Sequence, residues 1–136
     1  MPERFDADLL VIGAGMAGLT AAYTAAQTGA TVAVVEKAPE TGGSAVLSGA
    51  CVWTVPSYER WRAECPAGDP ELGRTLLSAF PETMDWLRAT GVTFSREVTV
   101  LRGRGRGHRI DVLGYFARAE AAVESAGGLV SRNTDV

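Results

Sequence analysis

The apolar positions near the start of the chain fall into two patterns, unbroken runs and helical spacing. Residues 8–13 (DLLVIG) form a short continuous apolar run, the mark of a strand buried on both faces of a parallel sheet. Residues 16–28 (MAGLTAAYTAAQT) are rich in alanine and free of proline, which predicts a helix, and Gly29 follows where a C-terminal cap glycine belongs. Residues 31–36 (TVAVVE) are β-branched and apolar, a second strand. Strand, helix and strand within about 30 residues make a βαβ unit, whose crossover sets the two strands parallel.

Past Pro56 the pattern loosens. Residues 56–69 mix prolines, charges and two aromatics, as an exposed excursion does, with Tyr58 and Trp61 covering local apolar surface. Residues 71–90 are helical, with Leu72, Leu76 and Ala79 on one stripe, Met84 and Leu87 on another, and Pro81 as a break or kink between them. Gly91 ends that helix, and residues 92–94 are a short strand candidate. These read as packing elements. Residues 111–126 are again amphipathic through Val112, Phe116, Ala119 and Val123, and Gly127 and Gly128 terminate them.

The chemistry sits between the first strand and the first helix, at Gly13, Ala14, Gly15, Met16, Ala17 and Gly18. In a G-x-G-x-x-G hexad the first glycine permits the turn, the second lets backbone approach a pyrophosphate, and the third lets the helix lie close on the sheet. Free N–H groups at the helix start then face the phosphates. The hexad alone is weak evidence. Here it follows a strand and opens a helix, and Glu36 closes the second strand, where its two oxygens suit a ribose diol and repel a 2′-phosphate. Lys37, beside it, is a further candidate for the adenosine.

Composition narrows the class. The 13 Lys and Arg against 16 Asp and Glu leave a net charge of −3, which argues against a general polyanion binder and against a nucleic-acid partner. Cys51 and Cys65 stand without a second pair or a histidine cluster, so neither a disulfide framework nor a metal site is expected. The opening MPERFDAD lacks the basic stretch of a signal peptide, and the glycines break the apolar run that follows, so no membrane span and a cytoplasmic location are expected.

The segment EKAPETGGSAVLSGACVWTVP, with Gly42, Gly43, Ser44, Ser48, Gly49, Ala50 and Trp53, resembles the flavin-binding segment of the succinate dehydrogenase and fumarate reductase flavoprotein superfamily, nearest its 3-ketosteroid Δ1-dehydrogenase-like branch. Ala50 stands where a further glycine is frequent. The resemblance implies FAD as cofactor, with this loop along the ribityl-pyrophosphate and the flavin. Side-chain-free backbone fits that use, since its N–H groups can reach a second phosphate or flavin carbonyls. Ser44 is placed to cap a short helix over residues 45–47. The resemblance further implies that residues 129–136 form a third strand of the nucleotide sheet, with Val136 where backbone meets adenine.

Residues 101–109 (LRGRGRGHR) concentrate the basic charge. Without interleaved aromatics they make a poor nucleic-acid contact. Two readings stay open: a flexible solvated loop, or, as the resemblance implies, cations Arg106, His108 and Arg109 near the flavin or a small-molecule substrate.

The expected fold is therefore α/β, a partial Rossmann-like FAD-binding fold incomplete without further chain. Its expected parts are 1–55, the βαβ unit and glycine loop; 56–100, a mainly helical excursion; and 101–136, a basic loop, helix and strand returning to the sheet. The expected function is the N-terminal portion or small subunit of a heteromeric flavin-dependent oxidoreductase acting on a C–C bond, with a second flavoprotein-like polypeptide supplying catalytic residues that this chain leaves unknown. The alternative is a truncated or non-catalytic nucleotide-binding scaffold.

Overall fold

A computed structural model describes residues 4–136. Residues 1–3, part of the opening from which the absence of a signal peptide is read, lie outside the described residues. In chain order the elements are β1 (Leu9–Ile12), α1 (Met16–Gln27), β2 (Val32–Val35), β3 (Cys51–Thr54), α2 (Tyr58–Glu64), α3 (Pro70–Ala89), β4 (Phe94–Val100), β5 (Gly105–Ile110), α4 (Val112–Ser125) and β6 (Leu129–Ser131), with 3-10 turns at Gly43–Leu47 and Leu101–Gly103. They gather into two compact units, one made of residues through Ser48 together with Val112–Val136, the other of Gly49–Asp111. The sequence reading divides the chain at 55 and 100 instead. The difference arises because β3 pairs with β5 and not with β1, β2 or β6.

The first unit is a parallel sheet in the order β1-β2-β6, with Leu9 opposite Val32 and Ala33 opposite Leu129. The β1–β2 crossover is the helix α1, and the long β2–β6 connection carries the second unit and returns through α4. Leu19, Val32, Val34, Tyr115 and Val123 are fully buried, and each large side chain of this kind stabilises the unit by about 1.5–3 kcal/mol. Tyr115 also shares a 2.7 Å hydrogen bond with the Thr20 hydroxyl, joining α4 to α1. One expectation fails here. β1 is not buried on both faces: it is an edge strand, and Leu10 and Ile12 are 55% and 68% exposed.

The second unit is built on an antiparallel sheet in the order β3-β5-β4, with an irregularity between Phe94 and Glu97. Residues 56–100 are mostly helix, as expected, through α2 and α3, but the stretch predicted as a basic loop is mostly strand β5. Glycine makes that strand possible: a Cβ at Gly107 would lie 2.4 Å from the Val52 carbonyl oxygen, and one at Gly105 would lie 2.9 Å from that of Thr54. The exposed excursion contains α2, started by Ser57, whose hydroxyl accepts from the Arg60 N–H. α3 starts on Asp69, which accepts from the N–H groups of Glu71 and Leu72, with Pro70 in the first turn. It then runs through Pro81 without the predicted break. Its Met84 and Leu87 are buried, but the expected stripe of Leu72 and Leu76 faces solvent. Among the described residues no helix is long and apolar enough to cross a membrane.

Candidate functional site

The candidate cofactor site is assembled within the first unit. At the end of β1 the chain turns through Gly13, whose φ of +94° favours glycine and whose N–H donates to the Val35 carbonyl at 2.8 Å. Ala14, fully buried, follows, and Gly15 is the N-cap of α1. No side chain caps that helix and no acidic residue sits in its first turn, so the positive end of the helix is left for an anion. Gly18 is required by packing: a Cβ there would lie 1.9 Å from the Gly13 carbonyl oxygen.

Gly15 differs from its neighbours. Its φ of −77° suits any residue, and a Cβ on it would meet nothing within 4 Å. Neither conformation nor the chain's own packing calls for glycine there. A ligand that must come close to the backbone does, so the turn fits a bound diphosphate.

Glu36 lies one residue beyond β2 and is buried, at 8% exposure. One carboxylate oxygen accepts from the Ala14 N–H at 2.7 Å, the other from the Ala38 N–H at 2.8 Å. The Ala38 N–H and then the Ala14 N–H hold its carboxyl below the usual range, against the opposing effect of burial, with the Lys37 charge adding to the lowering. The group is an anion at neutral pH, and each oxygen keeps acceptor capacity for a ribose hydroxyl. A cavity of about 370 Å³ opens beside it, lined by Gly13, Glu36, Lys37, Thr134 and Val136 among others. Lys37 and Val136 therefore share a cavity with the ribose candidate.

The glycine pair lies against the same turn. Gly42 forms a parallel bridge to Gly15, and its N–H donates to the Ala14 carbonyl at 2.7 Å. Its φ is +106°, and a Cβ there would lie 2.5 Å from Val46 and 2.7 Å from the Phe116 ring. Glycine at 42 therefore serves the joining of the two loops, and its N–H is committed inside the protein. Gly43 opens the 3-10 turn that carries Ser44, and the cap position expected for Ser44 belongs to Gly42. Ser48 closes the turn, its hydroxyl donating to the Ala45 carbonyl.

Gly49 and Ala50 belong to the second unit, and Ala50 holds a φ of +51°, a conformation glycine adopts more readily. Arg106, His108 and Arg109 are also in that unit, on β5. The two-residue period of a strand puts Arg106 and His108 on one face and Arg109 on the other. Arg106 pairs with Glu97 at 3.5 Å, His108 Nδ1 lies 3.0 Å from the Ser95 carbonyl, and Arg109 donates to the Gly49 carbonyl at 3.2 Å. The three do not form one cation cluster.

Sequence reasoning missed residues that hold this site from behind. Ser131 accepts from the Glu36 N–H at 2.8 Å and Thr134 donates to the Glu36 carbonyl at 2.9 Å, both through backbone. Glu120 accepts from the Thr41 hydroxyl and from Arg132. A signal for Glu120 exists, a charged residue one turn after Phe116 on the apolar side of α4.

Residues 8–128 match the family described as FAD binding domain. Among curated relatives, 3-oxosteroid 1-dehydrogenase of Mycobacterium tuberculosis (strain ATCC 25618 / H37Rv) is 44% identical over 70 residues, 52% of this chain and 12% of that protein. Fumarate reductase (cytochrome) of Shewanella frigidimarina is 30% identical over 120 residues, 75% of this chain and 21% of that protein. The chain thus spans a minor part of the length of these relatives. Among solved structures, 3-ketosteroid-delta4-(5alpha)-dehydrogenase of Rhodococcus jostii RHA1, in complex with 4-androstene-3,17-dione, matches with a TM-score of 0.75 at 20% identity, covering 98% of this chain and 39% of the other. At that identity the likeness establishes a shared fold.

Proposed function

We propose a role for this chain from the family to which it belongs, the FAD-binding domain family: it is the N-terminal FAD-binding portion, or small subunit, of a flavin-dependent oxidoreductase that acts on a C–C bond next to a carbonyl. The cofactor is FAD, as family membership establishes. The reaction class follows the names of the relatives, which dehydrogenate an oxosteroid or reduce fumarate. When bound, FAD supplies hydride transfer at its flavin nitrogen N5.

The chain's own residues hold and orient. Gly15 leaves room for a diphosphate at the start of α1, and the Glu36 carboxylate receives the adenosine ribose. Lys37 and Val136 border the adenosine cavity. The second loop lies alongside the first through Gly42. Further polypeptide, on the same or a second chain, completes the substrate site and covers β1, whose exposed Leu10 and Ile12 leave an apolar face open. Both cysteines are free, in keeping with a reducing cytoplasm.

The observation that carries this reading is the empty space in front of Gly15. Gly15→Ala leaves the fold intact, because a Cβ meets no protein atom, yet weakens FAD binding about tenfold or more, a change of about 1.4 kcal/mol. Flavin titration and thermal unfolding of the assembled protein check both halves. Unchanged FAD affinity in a folded Gly15→Ala protein overturns the reading.

A further inference from the structure

We propose that Glu120 is a positioning residue, one that fixes the glycine-pair loop in place before the cofactor arrives. The inference rests on FAD being the ligand of this site. Glu120 lies on α4, in the first unit, with its side chain 16% exposed. One carboxylate oxygen accepts from the Thr41 hydroxyl and the other from Arg132 Nη2. Thr41 immediately precedes Gly42, whose N–H is bonded to Ala14 in the hexad turn. One turn earlier on α4, Phe116 packs so closely on Gly42 that no Cβ fits between them. α4 therefore grips the loop at two points, one apolar and one hydrogen-bonded.

Arg132 extends the same carboxylate to the adenosine side. It lies between Ser131, which accepts from the Glu36 N–H, and Asn133, whose N–H donates to the Ala38 carbonyl at 3.1 Å. A single half-buried carboxylate thus ties the loop after Glu36 to the strand end that brackets Glu36. An acid is needed for both arms, since Glu120 accepts twice and the Nε of Arg132 is buried with no acceptor of its own among the described residues. Charge-assisted bonds of this kind keep a loop in one register without touching the ligand, which lowers the ordering cost of binding.

The test uses Thr41→Val, which removes the hydroxyl and keeps the shape, and Thr41→Ser, which restores it, in the full protein under conditions where circular dichroism shows each variant folded. FAD affinity is compared with affinity for AMP, which carries the adenosine and one phosphate only. The expected result is an FAD affinity about tenfold weaker in Thr41→Val, an AMP affinity changed by less than about twofold, and recovery of FAD affinity in Thr41→Ser. If Thr41→Val does not fold, Thr41→Ala, which removes the same hydroxyl and leaves the Arg132 arm in place, is read the same way, with the same split between FAD and AMP expected. Equal losses for FAD and AMP, or no loss for either, overturn the positioning role. A wild-type protein that binds no FAD instead overturns the cofactor reading itself, so the two failures are told apart.

Discussion

Two stretches of this chain repeat glycine at short intervals, residues 13–18 and residues 103–107, and the missing side chains serve opposite ends. In the first, the space in front of Gly15 contains no protein atom, while Gly18 lets α1 settle on the turn behind it. In the second, Gly105 and Gly107 lie against the backbone of neighbouring strands, and the closed space belongs to the chain itself. One stretch keeps open the space where a ligand is proposed to sit, and the other lets strands approach. Composition cannot separate the two; what a Cβ would touch can.

The largest expected effect comes from filling the second stretch. Gly107→Ala places a methyl group 2.4 Å from a backbone oxygen and 2.5 Å from the Trp53 Cβ, and should cost the second unit about 3 kcal/mol. All three tryptophans, Trp53, Trp61 and Trp86, lie in that unit, so fluorescence-detected urea unfolding reads it directly. An unshifted midpoint would erase the contrast drawn with Gly15→Ala.

The next effect belongs to the first stretch and is pH-dependent. The folded-state pKa of Glu36 is lowered from an ordinary value of 4.5, so its stabilisation is present above that value and is lost as pH falls below it and through the lowered folded-state value. Glu36→Gln keeps one acceptor but turns an amide N–H₂ toward a backbone donor, which should cost about 2 kcal/mol at neutral pH. Thermal unfolding from pH 7 downward should show the gap between wild type and variant closing in the acid range. A gap that stays constant would mean that the charge of Glu36 does not hold the turn.

The smallest effect tests a glycine that the chain lacks. Ala50 holds a left-handed φ, so Ala50→Gly should relieve backbone strain and, after the added freedom of the unfolded chain is subtracted, stabilise the second unit by about 0.5 kcal/mol. Urea midpoints measured on the tryptophan signal are sensitive enough to see it, and a destabilised variant would contradict the strain.

Much of the candidate site was legible because it is local. The hexad, Glu36 and the glycine pair fall within about 30 residues, the span of one βαβ unit, and each announces itself by backbone chemistry. What stayed hidden depends on residues distant in sequence. Thr41 and Glu120 stand 79 positions apart, and nothing near Thr41 marks its hydroxyl as the start of a clasp. The sheet of the second unit was hidden for a related reason. Half of the first four residues of β5 are glycine, which reads as loop, and only pairing with β3 and β4 on both sides makes the segment a strand. Pro81, where a break or kink is expected, does not break its helix. Proline removes one N–H, and an exposed helix surface lets water satisfy the carbonyl it leaves. On β1 the apolar run correctly gave a strand, but a run alone does not say whether both faces are covered.

The double engagement of Glu36 has a consequence for any attempt to redesign nucleotide preference. On the proposed reading Glu36 stands at the ribose, where exchanging an acid for arginine is the obvious route toward a phosphorylated ribose, but the same carboxylate staples the Ala14 and Ala38 amides. An exchange at this position would surrender the architecture of the pocket along with its selectivity, so new preference would have to be engineered from residues around the cavity while the carboxylate stays.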